Sequence, residues 1–88
     1  MKDLKDLREK LDKIDKDMAK LFEKRMGIIE DVRVWKKENN YPIYDKTRET
    51  SMLEKNAEYI ENKEILPYYE IFLDGVTGAS KEYMRDKN

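Results

Sequence analysis

The chain has no cysteine and no histidine among its 88 residues. The first absence excludes disulfides, thiolate nucleophiles and cysteine-bound metals. The second removes the commonest general base and the commonest metal ligand. Glycine and proline are scarce, at three and two residues, which argues against a turn-rich sheet protein. No charge sign dominates: 19 Lys and Arg face 20 Asp and Glu, for a net charge of -1. That balance excludes a global electrostatic pull on nucleic acid or an anionic membrane. No secretory leader is recognisable and no apolar run approaches the roughly 20 residues of a membrane span. A cytosolic location is the expectation.

What is present is charge and period. Charged residues make up 44% of the chain against 39% hydrophobic. Ten positions recur at three-four spacing: Leu4, Leu7, Leu11, Ile14, Met18, Leu21, Arg25, Ile28, Val32 and Trp35. All but Arg25 are apolar. This is the seam of one helix, predicted from about Lys2 to Asn39. The expected fold is all-α, with three helices in a single domain over residues 1–88. At 1.5 Å per residue the first helix is roughly 55 Å long. A compact monomer of this size has a radius of gyration of only about 12–13 Å. The remaining residues cannot cover such a helix, so an intertwined homodimer is expected.

Asn39-Asn40-Tyr41-Pro42 ends the first helix, because Pro42 disfavours helical geometry at Tyr41. Asp45 reads as the N-cap of a second helix, from about Lys46 to Asn62, with Met52, Leu53, Ala57 and Ile60 on its apolar face. The stretch from Asn62 to Leu66 breaks it. Pro67 opens a third helix that runs to about Arg85, with Tyr69, Phe72, Leu73, Val76, Ser80 and either Tyr83 or Met84 facing inward. Gly75 and Gly78 lie inside it, each costing about 1 kcal/mol relative to Ala. Close backbone approach is the expected reason.

Arg25 is the anomaly. An unpaired charge in an apolar seam costs several kcal/mol or more, so something anionic should meet it. Either a protein carboxylate such as Glu49 or Asp45 pairs with it, or a ligand does. Lys36 lies eleven residues on, only about 20° away around the helix, so the two heads can converge. Arg8 lies roughly 25 Å back along the axis and reaches that place only from an antiparallel second copy. The plain alternative for Arg8 and Lys36 is a solvated surface charge. Arg48 and Glu49 can equally be exposed first-turn residues. Ser80 and Met84 share a face at i and i+4, where the plain readings are a small packing residue and core filler. The seam offers no covalent nucleophile beside a base and no metal cluster. Cations, a carboxylate or two, a hydroxyl and apolar walls suit a small polyanion, and catalysis there would work by orientation and electrostatics.

Four segments carry a resemblance: Leu7-Arg8-Glu9-Lys10-Leu11-Asp12-Lys13-Ile14-Asp15, Leu21-Phe22-Glu23-Lys24-Arg25, Lys36-Lys37-Glu38-Asn39, and Pro42-Ile43-Tyr44-Asp45-Lys46-Thr47-Arg48-Glu49. In their order and spacing the chain resembles the all-helical chorismate mutases over nearly its whole length. The resemblance implies an intertwined dimer and a cofactor-free, metal-free conversion of chorismate to prephenate on the route to phenylalanine and tyrosine. It implies that Arg25, with Arg8 of the second copy, holds the two substrate carboxylates. Lys36 would donate to the ether oxygen, and Glu49 would accept from the ring hydroxyl. Asp45 and Arg48 would shape that side of the pocket. Ser80 would contact a carboxylate, and Val32 and Leu11 would be apolar walls.

One departure stands out. Four residues after the helix-three serine the family usually carries Gln, a second donor to the ether oxygen, and here Met84 stands. A thioether cannot donate. A one-residue slip would put Ala79 and Tyr83 at the two positions instead. Arg33, Trp35, Gly75 and Gly78 also look atypical. A slow mutase is the first reading. An isochorismate-pyruvate lyase, a quiet ligand-binding module and a purely structural helical dimer are the others.

Overall fold

The structure is a computed structural model that describes residues 3–88. It comprises three α-helices: α1 (Leu4–Glu38), α2 (Lys46–Ala57) and α3 (Leu66–Lys87), with a 3₁₀ turn at Lys63–Ile65 leading directly into α3. The expected start at Lys2 lies outside the described residues. Among the described residues there is no strand. α3 packs against both α1 and α2.

The helix ends follow local chemistry. The Asp3 side chain caps α1 by accepting from the Lys5 amide at 3.0 Å. At the other end Asn40 takes a left-handed φ of 52°. The Tyr41 amide donates to the Lys36 carbonyl at 2.7 Å and the Asn40 amide to the Lys37 carbonyl at 3.4 Å. This is the paired closure of a Schellman motif, with Asn in the place glycine usually takes. Asp45 caps α2 by accepting from the Arg48 amide at 3.1 Å, as expected.

α2 stops at Ala57 and not at Asn62. The amides of Glu58, Tyr59 and Ile60 each donate to a carbonyl three residues back, at 3.2, 3.0 and 3.3 Å. That 3₁₀ winding tightens the end, and Lys63 Nζ takes the Ala57 carbonyl at 3.1 Å. Ile60 therefore lies beyond the helix whose face it was expected to join. Asn62 then caps the 3₁₀ turn by accepting from the Glu64 amide at 3.1 Å. Pro67 sits in the first turn of α3, where a missing N–H costs nothing.

The chain is elongated, 57 × 25 × 16 Å, with a radius of gyration of 16.2 Å. That exceeds the ~12 Å of a compact chain this long. Residues 4–24 of α1 are all exposed, including Leu4, Leu7, Leu11, Ile14, Met18 and Leu21. Among the described residues only Leu73, Ser80 and Met84 are buried. All three lie on the inner face of α3, where it crosses the C-terminal half of α1.

The glycines do not mark close approach within the chain. A Cβ placed on Gly27, Gly75 or Gly78 would meet nothing within 4 Å. Gly27 is exposed on α1, off the apolar seam. Gly27→Ala is expected to stabilise the protein by about 0.5–1 kcal/mol, by lowering the entropy of the unfolded chain and raising helix propensity. Thermal unfolding should show a melting temperature several degrees higher. A fall would mean that the site is not open.

Candidate active site

The three helices and the loop before α2 enclose a cavity of about 160 Å³. α1 supplies Arg25, Ile29, Val32 and Lys36 to it. The loop and α2 add Ile43, Asp45, Arg48, Glu49 and Met52, and α3 adds Thr77, Ser80, Lys81 and Met84. Eight of the ten residues expected in the site therefore line one cavity. Arg8 and Leu11 do not. Both are exposed on the N-terminal half of α1, Leu11 to 57%.

Arg25 is half-buried, and its guanidinium Nη1 donates to Ser80 Oγ at 2.5 Å. Ser80 passes the bond on, donating from Oγ to the Val76 carbonyl at 3.1 Å. Neither Glu49 nor Asp45, the carboxylate candidates, pairs with it. Among the described residues the ion pairs are Arg33–Glu30, Lys81–Glu49 and Arg85–Glu82, and none involves Arg25. Burial, and then the neighbouring Arg48 guanidinium, push the Arg25 pKa below the ordinary arginine value. The group stays charged. Its environment disfavours that charge, a cost that a bound anion would offset.

Lys36 is fixed by the chain turn. Its Nζ donates to the Ile43 carbonyl at 2.9 Å and lies 5.9 Å from the centre of the Tyr41 ring. An ammonium has three donors, so the carbonyl leaves others for the cavity. Asp45 is spent on structure: one oxygen caps α2 and the other accepts from the Tyr41 hydroxyl at 3.3 Å. Glu49 meets Lys81 Nζ at 3.0 Å across the α2–α3 gap.

The choice between Met84 and Tyr83 has a clear outcome. Ser80 and Met84 face the cavity, exposed to only 5% and 4%. Tyr83 turns away and donates its hydroxyl to Glu30 at 2.7 Å. Arg33, atypical in the sequence, explains that preference. Its Nε and Nη2 donate to the two oxygens of Glu30 at 2.9 and 2.5 Å. Its Nη1 donates to Asn88 Oδ1 at 3.0 Å. The network clamps the end of α3 to α1 and so holds Met84 inward.

Bonds from Arg33 and then Tyr83 pull the Glu30 carboxyl down from 4.5 to about 2. The Tyr83 phenol, bonded to Glu30, is pushed above its ordinary value. Glu30 holds its proton more weakly in the folded chain than in the unfolded one. Its contribution is therefore complete above the ordinary carboxyl range and is lost as pH falls toward about 2. Glu30→Gln should flatten the acid limb of melting temperature against pH. An unchanged acid limb would dissociate the clamp from stability.

Sequence reasoning did not single out Lys81, which lines the cavity. The signal was there, since Thr77, Ser80, Lys81 and Met84 stand at i, i+3, i+4 and i+7 and share one helical face. Ile29, Ile43, Met52 and Thr77 were also missed as walls. No group of His, Cys, Asp and Glu among the described residues is arranged to hold a metal. None of the helices is long and apolar enough to cross a membrane.

The site can therefore bind a small anion between Arg25, Arg48 and Lys36, with apolar walls and the carboxylates Asp45 and Glu49 also lining it. Comparison with known proteins gives the family. Residues 7–85 match the family described as chorismate mutase type II. A stretch of 54 residues is 39% identical to the T-protein of Haemophilus influenzae, covering 61% of this chain and 14% of that protein. The chain thus spans a small part of that relative's length. No solved structure matches. The chain belongs to the type II chorismate mutase family, a family of isomerases.

Proposed function

We propose that this chain rearranges chorismate to prephenate as a slow, cofactor-free mutase on the cytosolic route to phenylalanine and tyrosine. Its 88 residues act as one domain, in an intertwined homodimer. The observation that carries the reading is Arg25: a half-buried guanidinium, beside a second cation, with no carboxylate partner among the described residues. A dianionic substrate supplies the missing charge.

The reaction is intramolecular. One C–O bond breaks as one C–C bond forms, and no proton or electron leaves. The site's work is to hold the reacting ends together and to stabilise charge growing on the ether oxygen. Arg25, braced by Ser80, takes one substrate carboxylate. Arg8 of the second copy takes the other. Lys36, anchored on the Ile43 carbonyl, donates to the ether oxygen. Glu49 accepts from the ring hydroxyl. Asp45 fixes the start of α2 so that Arg48 and Glu49 face the cavity, and Val32 forms an apolar wall. Leu11 would join the wall from the second copy.

Two observations support the second copy. The N-terminal half of α1 leaves an unbroken row of apolar side chains in water. Arg8 and Arg25, 17 residues apart on one straight helix, cannot meet within a chain. Mixing tests both. Arg8→Ala and Lys36→Ala chains should each be nearly inactive. Co-refolded, they should recover about a quarter of parental activity, because half of the dimers carry one intact site. No recovery on mixing would show that Arg8 does not act across an interface.

A further inference from the structure

We propose that Lys81 is a positioning residue of this site, holding the Glu49 carboxylate on the cavity wall as an oriented acceptor for the ligand's hydroxyl; this rests on the functional reading above. Lys81 Nζ lies 3.0 Å from Glu49 Oε1. Among the described residues the Glu49 carboxylate has no other partner. The same ammonium lies 5.0 Å from the centre of the Tyr44 ring. It is thus held between the ring on the loop before α2 and the carboxylate on α2, while its own stem rises from α3. Both Lys81 and Glu49 line the cavity.

A purely structural role fits poorly. The two side chains are 36% and 26% exposed, and ion pairs so open to water contribute little to stability. Glu49 sits on the first turn of α2 with free torsions, and a free carboxylate would sample several rotamers across the cavity mouth. Pairing with Lys81 selects one, and the Tyr44 ring limits where the ammonium can go. Charge balance points the same way. The cavity holds the cations Arg25, Lys36, Arg48 and Lys81 against the carboxylates Asp45 and Glu49. With Lys81 neutralising Glu49, the remaining cations are left to face an anionic ligand. A hydroxyl, which needs only an oriented acceptor, is read by Glu49 without repelling the rest of that ligand.

The test is a double-mutant cycle on the full chain with chorismate as probe, using Lys81→Met, Glu49→Gln and the double variant, with Lys81→Arg as the conservative control. Lys81→Met should lower kcat about tenfold with KM little changed, because misplacing a contact group penalises the transition state most. Lys81→Arg should restore most of the loss. The double variant should be no slower than Glu49→Gln alone, since Lys81 acts through Glu49. The melting temperature should hardly move in any of them. Additive losses, or an unchanged kcat in Lys81→Met, would overturn the assignment while leaving the mutase reading intact. A parent chain that binds chorismate in calorimetry without converting it would overturn the mutase reading. The same cycle, read in dissociation constants, would then decide the role of Lys81. A parent that neither binds nor converts chorismate would overturn both.

Discussion

Replacing Arg25 with methionine is expected to cut kcat/KM for chorismate by roughly 30- to 5,000-fold while leaving the fold at least as stable as before. The two effects have one cause. The guanidinium is half-buried, bonded among the described residues to the neutral Ser80 hydroxyl alone, and further disfavoured by Arg48. A desolvated charge without a counter-charge costs stability, and an apolar side chain of similar length removes that cost. Ser80 keeps its bond to the Val76 carbonyl, so the change strands no buried hydroxyl. In the proposed mechanism, however, a substrate carboxylate loses its partner. Truncating one member of a desolvated charge pair costs about 2–5 kcal/mol, or roughly 30- to 5,000-fold in kcat/KM. Paired assays of melting temperature and kcat/KM check this. A variant that loses stability together with activity would show that Arg25 holds the fold together and is not kept for a ligand.

Met84→Gln carries the opposite sign. Met84 is 4% exposed, lines the cavity four residues after Ser80, and offers no hydrogen-bond donor where the family resemblance implies one. In the proposed mechanism the donor to the ether oxygen is Lys36, which already shares its ammonium with the Ile43 carbonyl. A glutamine amide adds a donor that matters most once charge has built up on that oxygen. The gain should therefore appear in kcat rather than KM, at about 10²–10³-fold. The cost should appear in the unliganded protein. A buried amide without a partner loses about 1–3 kcal/mol, so the melting temperature should fall by several degrees. Steady-state kinetics beside a thermal melt separate the two. An unchanged kcat would mean that the ether oxygen does not lie beside position 84.

The contrast between what the sequence told and what it hid is a matter of range. The apolar seam, the Asp45 cap and the Asn-Asn-Tyr-Pro stop are local, and period or turn chemistry reads them directly. Arg25 and Lys36 converge because both lie on one regular helix, so their angular separation is arithmetic. The end of α2 was misread because Ile60 keeps the apolar spacing while the backbone has already tightened into 3₁₀ bonds. Spacing alone left Tyr83 and Met84 open. The choice depends on Glu30 and Arg33, fifty or more residues away, which draw the Tyr83 hydroxyl out of the cavity. Lys81 went unnoticed because a lysine beside a serine reads as surface until Glu49 and Tyr44 are brought against it.

Most direct of all is the reaction itself. The purified chain is incubated with chorismate, and the loss of chorismate absorbance is followed with identification of the product. The account predicts chorismate loss above the uncatalysed rate, with prephenate as the product and no added cofactor. Chorismate left untouched by both the parent chain and Met84→Gln would contradict it. So would pyruvate release from isochorismate in place of chorismate conversion.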